Sequence, residues 1–326
     1  MRATILSLFF IPFFLFAVDV KRYDFTVAAD GTGDFTTVQD AINAVPDFRK
    51  KETKIFIKNG TYREKIIVPG SKQFVTLIGE DKFQTVISHD DYAQKKNRFG
   101  EEMGTSGSAT FYCYGDDFTA INLSFENVSG PVGQAVAAWI AGDCNLFLHC
   151  RFLGFQDTLY TYGKGARQFY FQCYIEGTVD FIFGASTAWF EDCELHCKNS
   201  GYITAAATPE QADFGYIFNN CKVTGNKDTK SFYLGRPWRP YAKVIFMNCN
   251  LPEFIESKGW HNWGKESNEK TAYFAEYNSK GAGSMSQSRV KWSHILTDRE
   301  VKNFTIQHIF KDWTPNLSFD SVSDGR

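Results

Sequence analysis

The sequence predicts an all-β chain wound into a single-domain, right-handed parallel β-helix, and three observations predict it. Short hydrophobic runs recur at near-constant steps: LFLHCRFLG (146–154) and FYFQCYIEG (169–177) superimpose at 23 residues, as does LSFENVSG (123–130). Looser copies, AWFEDCELHC, YIFNNCKVTG and VIFMNCNLPE, follow at 20, 28 and 28 residues. Repeats of this length built from short strands indicate a solenoid, in which each coil stacks on its neighbours. The separators are turns marked by Gly60, Gly70 and Gly79 rather than crossover helices, which excludes doubly wound and barrel α/β folds. The Leu/Asn signature of leucine-rich repeats is missing, and a propeller blade needs about twice the period.

Taken in order, the first 17 residues read as a signal peptide. Arg2 supplies the positive start, Ile5 to Val18 is almost unbroken apolar sequence, and charge returns at Asp19. Spanning a bilayer takes ~20 apolar residues, so an anchor fits less well. The reading is therefore one domain over residues 18–326, exported to the periplasm or the medium, with no membrane contact after leader removal. Phe25 and Val27 alternate as a strand, and Phe35, Val38, Ile42 and Val45 recur at helical spacing before Pro46. This is a short helix suited to capping the open end of the coil stack. After Trp260 the repeat dissolves into a Gly- and Ser-rich tail folded back along the coils, and residues 297–310 suggest a last helix with Thr297 as its cap.

Stacking turns period into distance. Asp157 and Asp180 lie 23 residues apart, and Gln134 lies 23 before Asp157. Equal coil positions stand one strand spacing apart, ~4.8 Å. The register expected here puts Gln134, Asp157 and Asp180 in one row, with Asn127, Cys150 and Cys173 in an internal ladder. On that register Asn127, although it begins an Asn-x-Ser motif, points inward. Eight cysteines in an exported chain permit disulfides, with Cys193–Cys197 and Cys144–Cys150 as sequence neighbours, but the ladder reading needs none for most of them.

Composition narrows the chemistry. The formal charge of -2 gives no field to attract nucleic acid, and the 17% aromatic content suits a sugar-binding cleft as well as a core. Nucleophile elbows, phosphate loops, dinucleotide fingerprints and zinc spacings are missing from the sequence, so no metal or cofactor is expected. Carboxylates remain. Two aspartates so close cannot both ionise easily, so one stays protonated as an acid and the other, beside a cation, serves as nucleophile. Arg236, in YLGRPWRP, is the candidate cation, and Gln134 and Gln156 offer amide donors for an oxyanion.

GTYREK (60–65), GQAVA (133–137), GFQDTLY (154–160), GTVDFIFG (177–184) and LGRPW (234–238) resemble, in order, the signature blocks of the pectin methylesterases (pectinesterases). The opening DGTGDFTTVQDAINAVP and the tail YFAEYNSKGAG…RVKW resemble that family too, so the likeness spans roughly residues 24 to 310. It implies hydrolysis of galacturonate methyl esters in pectin to pectate and methanol. On that likeness Asp180 is the nucleophile, Asp157 the general acid and then base, and Gln134 and Gln156 the oxyanion hole. Arg236 would hold Asp180 ionised, and Tyr160, Phe183, Trp238 and Trp260 would form the aromatic floor under methyl-esterified homogalacturonan. FGAS after Asp180 and the lack of a pro-region resemble the microbial type, working as a monomer. Two other readings use the same fold. A polygalacturonase or lyase would cut the polymer itself, and a binding protein would keep the groove without the chemistry.

Overall fold

The computed structural model describes residues 22–284 and 286–318. The leader expected at residues 1–17 lies outside them. The chain winds through three parallel sheets, one of eleven strands and two of seven, as a right-handed parallel β-helix. One coil shows the rule: strand Asn145–Leu148 lies in the eleven-stranded sheet, Arg151–Leu153 in one seven-stranded sheet and Leu159–Thr161 in the other. The last of these sheets also carries Ala138–Ile140, Ile182–Gly184, Ser200–Ala206 and Ser231–Pro237, and is called the site sheet below.

The sharp corner between the first two strands of a coil is made by one residue in the left-handed region. His149, Gln172, Asp192, Asn220 and Asn248 sit there with φ between 50 and 55°. Single polar residues enter this region at modest cost, which lets the coil turn without a loop. The residue after each corner is a buried cysteine, and its Sγ donates to a carbonyl of the coil before. Cys150 reaches Ala120, Cys173 reaches Phe147, Cys193 reaches Tyr170 and Cys221 reaches Phe190, all at 3.4 Å. All eight cysteines are free thiols, so neither sequence-neighbour disulfide forms. Beside this ladder the rings of Tyr170, Phe190, Phe218 and Phe246 stack coil on coil at 4.5 to 4.6 Å.

The expected steps of 23, 20, 28 and 28 hold from residue 146 onward, where Leu146, Phe169, Trp189, Ile217 and Ile245 share register. The coil before them is corrected. Phe125 pairs with Phe152, a step of 27, so Leu123 and not Asn127 precedes Cys150 in the ladder. Asn127 is buried as expected, but its Nδ2 donates to the carbonyls of Asp91, Ser108 and Val136 and so pins the loops beside the site.

Both ends are closed. The first helix, Val38–Ala44, has Thr37 as its cap, and Glu64 accepts from the free N–H groups of Val38 and Gln39. At the other end Lys72 donates to the carbonyls of Asn43 and Val45. The GTYREK block thus seals the helix through Glu64, while its Lys65 ties Asp91 to the carbonyl of Gly107. The single helix expected over 297–310 is broken instead. A 3-10 turn at Val301–Asn303 is followed by helix Ile306–Phe310, capped by Thr305, while Thr297 exchanges side-chain bonds with Glu300 and its carbonyl accepts from the Val301 N–H. Arg167 fastens this tail to the coils by donating to Asp312, the carbonyl of Phe310, and Asp143.

Candidate active site

The site lies on the outer face of the site sheet, where the turns leading into three successive strands converge. Asp157 precedes strand Leu159–Thr161 and Asp180 precedes strand Ile182–Gly184. Leu159 pairs with Ile182, which puts the two aspartates at the same coil position, and the Asp157 N–H donates to the Val179 carbonyl at 3.1 Å. Both are left-handed, with φ of 64° and 53°, a region that aspartate enters at modest cost. They remain only 8% and 6% exposed.

The expected single row is corrected for Gln134. It bridges Gln156 rather than Asp157, a step of 22, and the site-sheet strands that follow, at 138 and 159, pair at a step of 21, so neither keeps the 23-residue spacing. The two glutamines therefore stand side by side, one residue before the aspartate row. The Gln134 Oε1 accepts from Gln94 at 3.2 Å, which leaves its amide hydrogens for the cleft.

Arg236 comes from strand Ser231–Pro237 and distinguishes the aspartates. Its Nε donates to Asp180 Oδ1 and its Nη2 to Asp180 Oδ2, both at 2.8 Å. This fork–fork geometry is the strongest pairing a carboxylate makes with a side chain. Burial raises the Asp157 carboxyl well above the usual range, the neighbouring Asp180 charge adds to it, and Arg236 offsets only part. Asp180 is raised too, by burial, but the bond from Arg236 and its charge counteract that directly. These influences favour the proton on Asp157 and the charge on Asp180.

The cleft has a volume of about 370 Å³ and brings together Gln134, Gln156, Asp157, Asp180, Arg236 and an aromatic floor. Tyr160 and Phe183 stack at 4.1 Å, and Trp238 meets both edge-on at 6.1 and 5.9 Å. The depression continues past Trp238 toward Lys164, Arg239 and Tyr162. Trp260 does not belong here. It is 1% exposed and packs on Phe274 at 4.6 Å inside the coil stack. Trp263 lines the cleft in its place, as do Thr105 and Ser106. Sequence reasoning missed all three, since they sit outside the repeat, Trp263 in a turn and Thr105 and Ser106 in the one-turn helix Gly104–Gly107. The one available signal was the glycine after Trp263, which marks a turn. Elsewhere among the described residues, His89, Asp90 and Asp91 lie close enough to share a cation, but Lys65 and Lys95 already pair with the two carboxylates.

Comparison with known proteins places this arrangement. The pectinesterase family model matches residues 24–312. Pectinesterase 31 of Arabidopsis thaliana is 43% identical over 293 residues, covering 88% of this chain and 91% of that protein. The pectin methylesterase from carrot superposes with a TM-score of 0.83 at 32% identity, covering 88% of this chain and 92% of that one. Pectin methylesterase PemA from Erwinia chrysanthemi gives 0.80 at 30% identity, covering 91% and 99%. Plant and bacterial proteins thus both stand among its relatives. Matched by the family model over nearly all of its described length, the chain belongs to the pectinesterase family.

Proposed function

We propose that the chain removes methyl esters from the galacturonate units of pectin through an acyl-enzyme, with Asp180 as nucleophile and Asp157 as general acid and base. The observation that carries this reading is the one-sided fork: Arg236 pairs with Asp180 and leaves Asp157 to hold the proton. Ionised Asp180 attacks the ester carbonyl carbon, and the carbonyl oxygen becomes an oxyanion facing the Gln134 and Gln156 amides. When the tetrahedral intermediate collapses, the C–O bond to the methoxy group breaks and Asp157 gives that oxygen its proton, releasing methanol. Asp157, now ionised, takes a proton from an entering water. The hydroxide so formed attacks the acyl carbon, and the free galacturonate leaves as Asp180 recovers its charge. Tyr160, Phe183 and Trp238 offer apolar faces to sugar rings along the groove.

Methanol release from methylated pectin tests the roles. Asp180→Asn should lose at least about a thousandfold in kcat, and full activity in that variant would remove Asp180 as nucleophile. A polymer-cutting reading remains open to the same assay, since it requires new reducing ends without methanol. The acyl-enzyme reading forbids that result.

The apolar leader and a wall polymer as substrate both support export to the medium or the periplasm. Among the described residues no helix is long and apolar enough to cross a membrane. N-terminal sequencing of the purified product, expected to begin at Val18, checks the cut.

A further inference from the structure

We propose that Tyr202 and Trp263 are positioning residues that clamp the Arg236 guanidinium between two aromatic faces and so fix its fork on Asp180. The guanidinium carbon lies 3.9 Å from the Tyr202 ring centre and 3.8 Å from that of Trp263. Two rings that each lie under the same carbon at under 4 Å have no room on one side of it, so they flank the guanidinium. An arginine held this way keeps its in-plane donors, and Nε and Nη2 are the ones Asp180 receives. The rings shield the guanidinium, whose side chain is 19% exposed, and oppose a swing out of plane, because that motion would drive it into a ring.

The jaws are braced independently of the arginine. Tyr202 stacks on Tyr233 at 5.4 Å, within 13° of parallel, along paired strands of the site sheet. Both tyrosines set their rings edge-on to His261, at 5.7 and 5.5 Å. The same imidazole accepts, at Nδ1, from the Trp263 N–H at 3.0 Å. His261 therefore joins one jaw to the other. Trp263 itself has φ of 62°, a region that bulky side chains rarely enter, and the strain is held by that bond and by Asn268 donating to the Asn262 carbonyl at 3.1 Å. Strain of this kind persists where the surroundings over-determine it, and here it serves to lay the indole on the guanidinium. The face of Trp263 so engaged is not available to a sugar ring. Its role on that face is electrostatic support for Arg236.

The consequence rests on the nucleophile assignment above. Loosening the clamp lets the fork open while Asp180 stays buried, so its carboxylate becomes harder to ionise. The test is kcat, KM and the kcat–pH profile on methylated pectin for Tyr202→Leu, Trp263→Leu, Tyr202→Phe and Trp263→Phe. The leucine variants should lose about ten- to a hundredfold in kcat with little change in KM, and their acidic limb should move to higher pH. The phenylalanine variants, which keep a ring, should recover most of both. A rise in KM with kcat and pH profile unchanged would make these rings sugar platforms and overturn the proposal. So would failure of both leucine variants to fold, which would assign the rings to the core; if one alone fails, the other jaw, on a separate element, decides. An active Asp180→Asn would bring down the acyl-enzyme reading, whereas an inactive one beside unperturbed leucine variants brings down the clamp alone.

Discussion

Asp157 and Asp180 share a coil position, a left-handed backbone and near-complete burial, yet one arginine makes them chemically unlike. The proposed mechanism needs Asp180 ionised and Asp157 protonated, so on that mechanism each limb of the pH profile belongs to a different loss. As pH falls, Asp180 gains a proton and loses its nucleophilicity; as pH rises through the elevated range of Asp157, the acid that releases methanol is lost. A bell-shaped kcat profile on methylated pectin is expected, and Arg236→Lys, which replaces a fork by a point charge, should narrow it from the acid side. The same burial bears on stability. A carboxyl whose folded pKa is raised binds its proton more tightly folded than unfolded. Its presence costs nothing below the unfolded pKa, and stability falls as pH rises from there toward the folded value. Asp157→Asn should therefore be inactive but more stable at pH 7 by about 1 kcal/mol, with the gain vanishing near pH 4 in denaturant melts. An equal gain at both pH values would trace the effect to packing instead of ionisation.

At the scale of elements, the repeat made the strands legible and the turns did not follow it. Hydrogen bonding fixes register along each sheet, but a turn can lengthen without disturbing the strands it joins. Extra residues between Asn127 and Gln134 therefore broke the 23-residue rule in one coil, and Gln134 came to lie beside Gln156. The two aspartates were legible because their coils do keep that step. Trp260 was misread for a related reason: two tryptophans three residues apart straddle the coil wall, and without a repeat to orient them nothing says which faces out. Trp260→Ala should cost about 3–5 kcal/mol in urea unfolding, the penalty of emptying a core site, and leave KM for pectin near that of the parent. Strand Ser231–Pro237 places a tighter demand. A Cβ on Gly235 would stand 2.0 Å from Thr204 Oγ1, so Gly235→Ala must push apart the strand that carries Arg236. It should destabilise by about 1–3 kcal/mol and reduce kcat more than tenfold, because the fork on Asp180 moves with its strand.

The whole molecule behaves as a stack whose coils have no core of their own. Rings and thiols of one coil are covered only by the next, and the ends are closed by helix Val38–Ala44 and by the tail. At the tail end Arg289, buried with Glu276, forks onto it at 2.7 and 3.0 Å. Stability in such a stack is carried by contacts between neighbours, so an opening in the middle costs two interfaces and is resisted more than fraying at an end. The cysteines report on this. Burial pushes the thiols of Cys150, Cys173 and Cys221 well up, and Cys193 lies enclosed between the latter two. Half-exposed Cys144 is pushed up to about 12, by burial first and then by the Asp143 charge. A buried thiol is out of a reagent's reach, and Cys144, the one cysteine that is not buried, is held as the unreactive thiol near pH 8, so the folded chain offers a thiol reagent almost nothing. Labelling of Cys150, Cys173 and Cys193, in the middle of the stack, should therefore proceed at the rate of global unfolding, and all eight cysteines should react at once in strong denaturant. Mass spectrometry after timed labelling separates the cases. If Cys173 or Cys193 modified while Cys249 near the tail stayed protected, the middle of the stack would open first, and the account of coils held by their neighbours would be wrong.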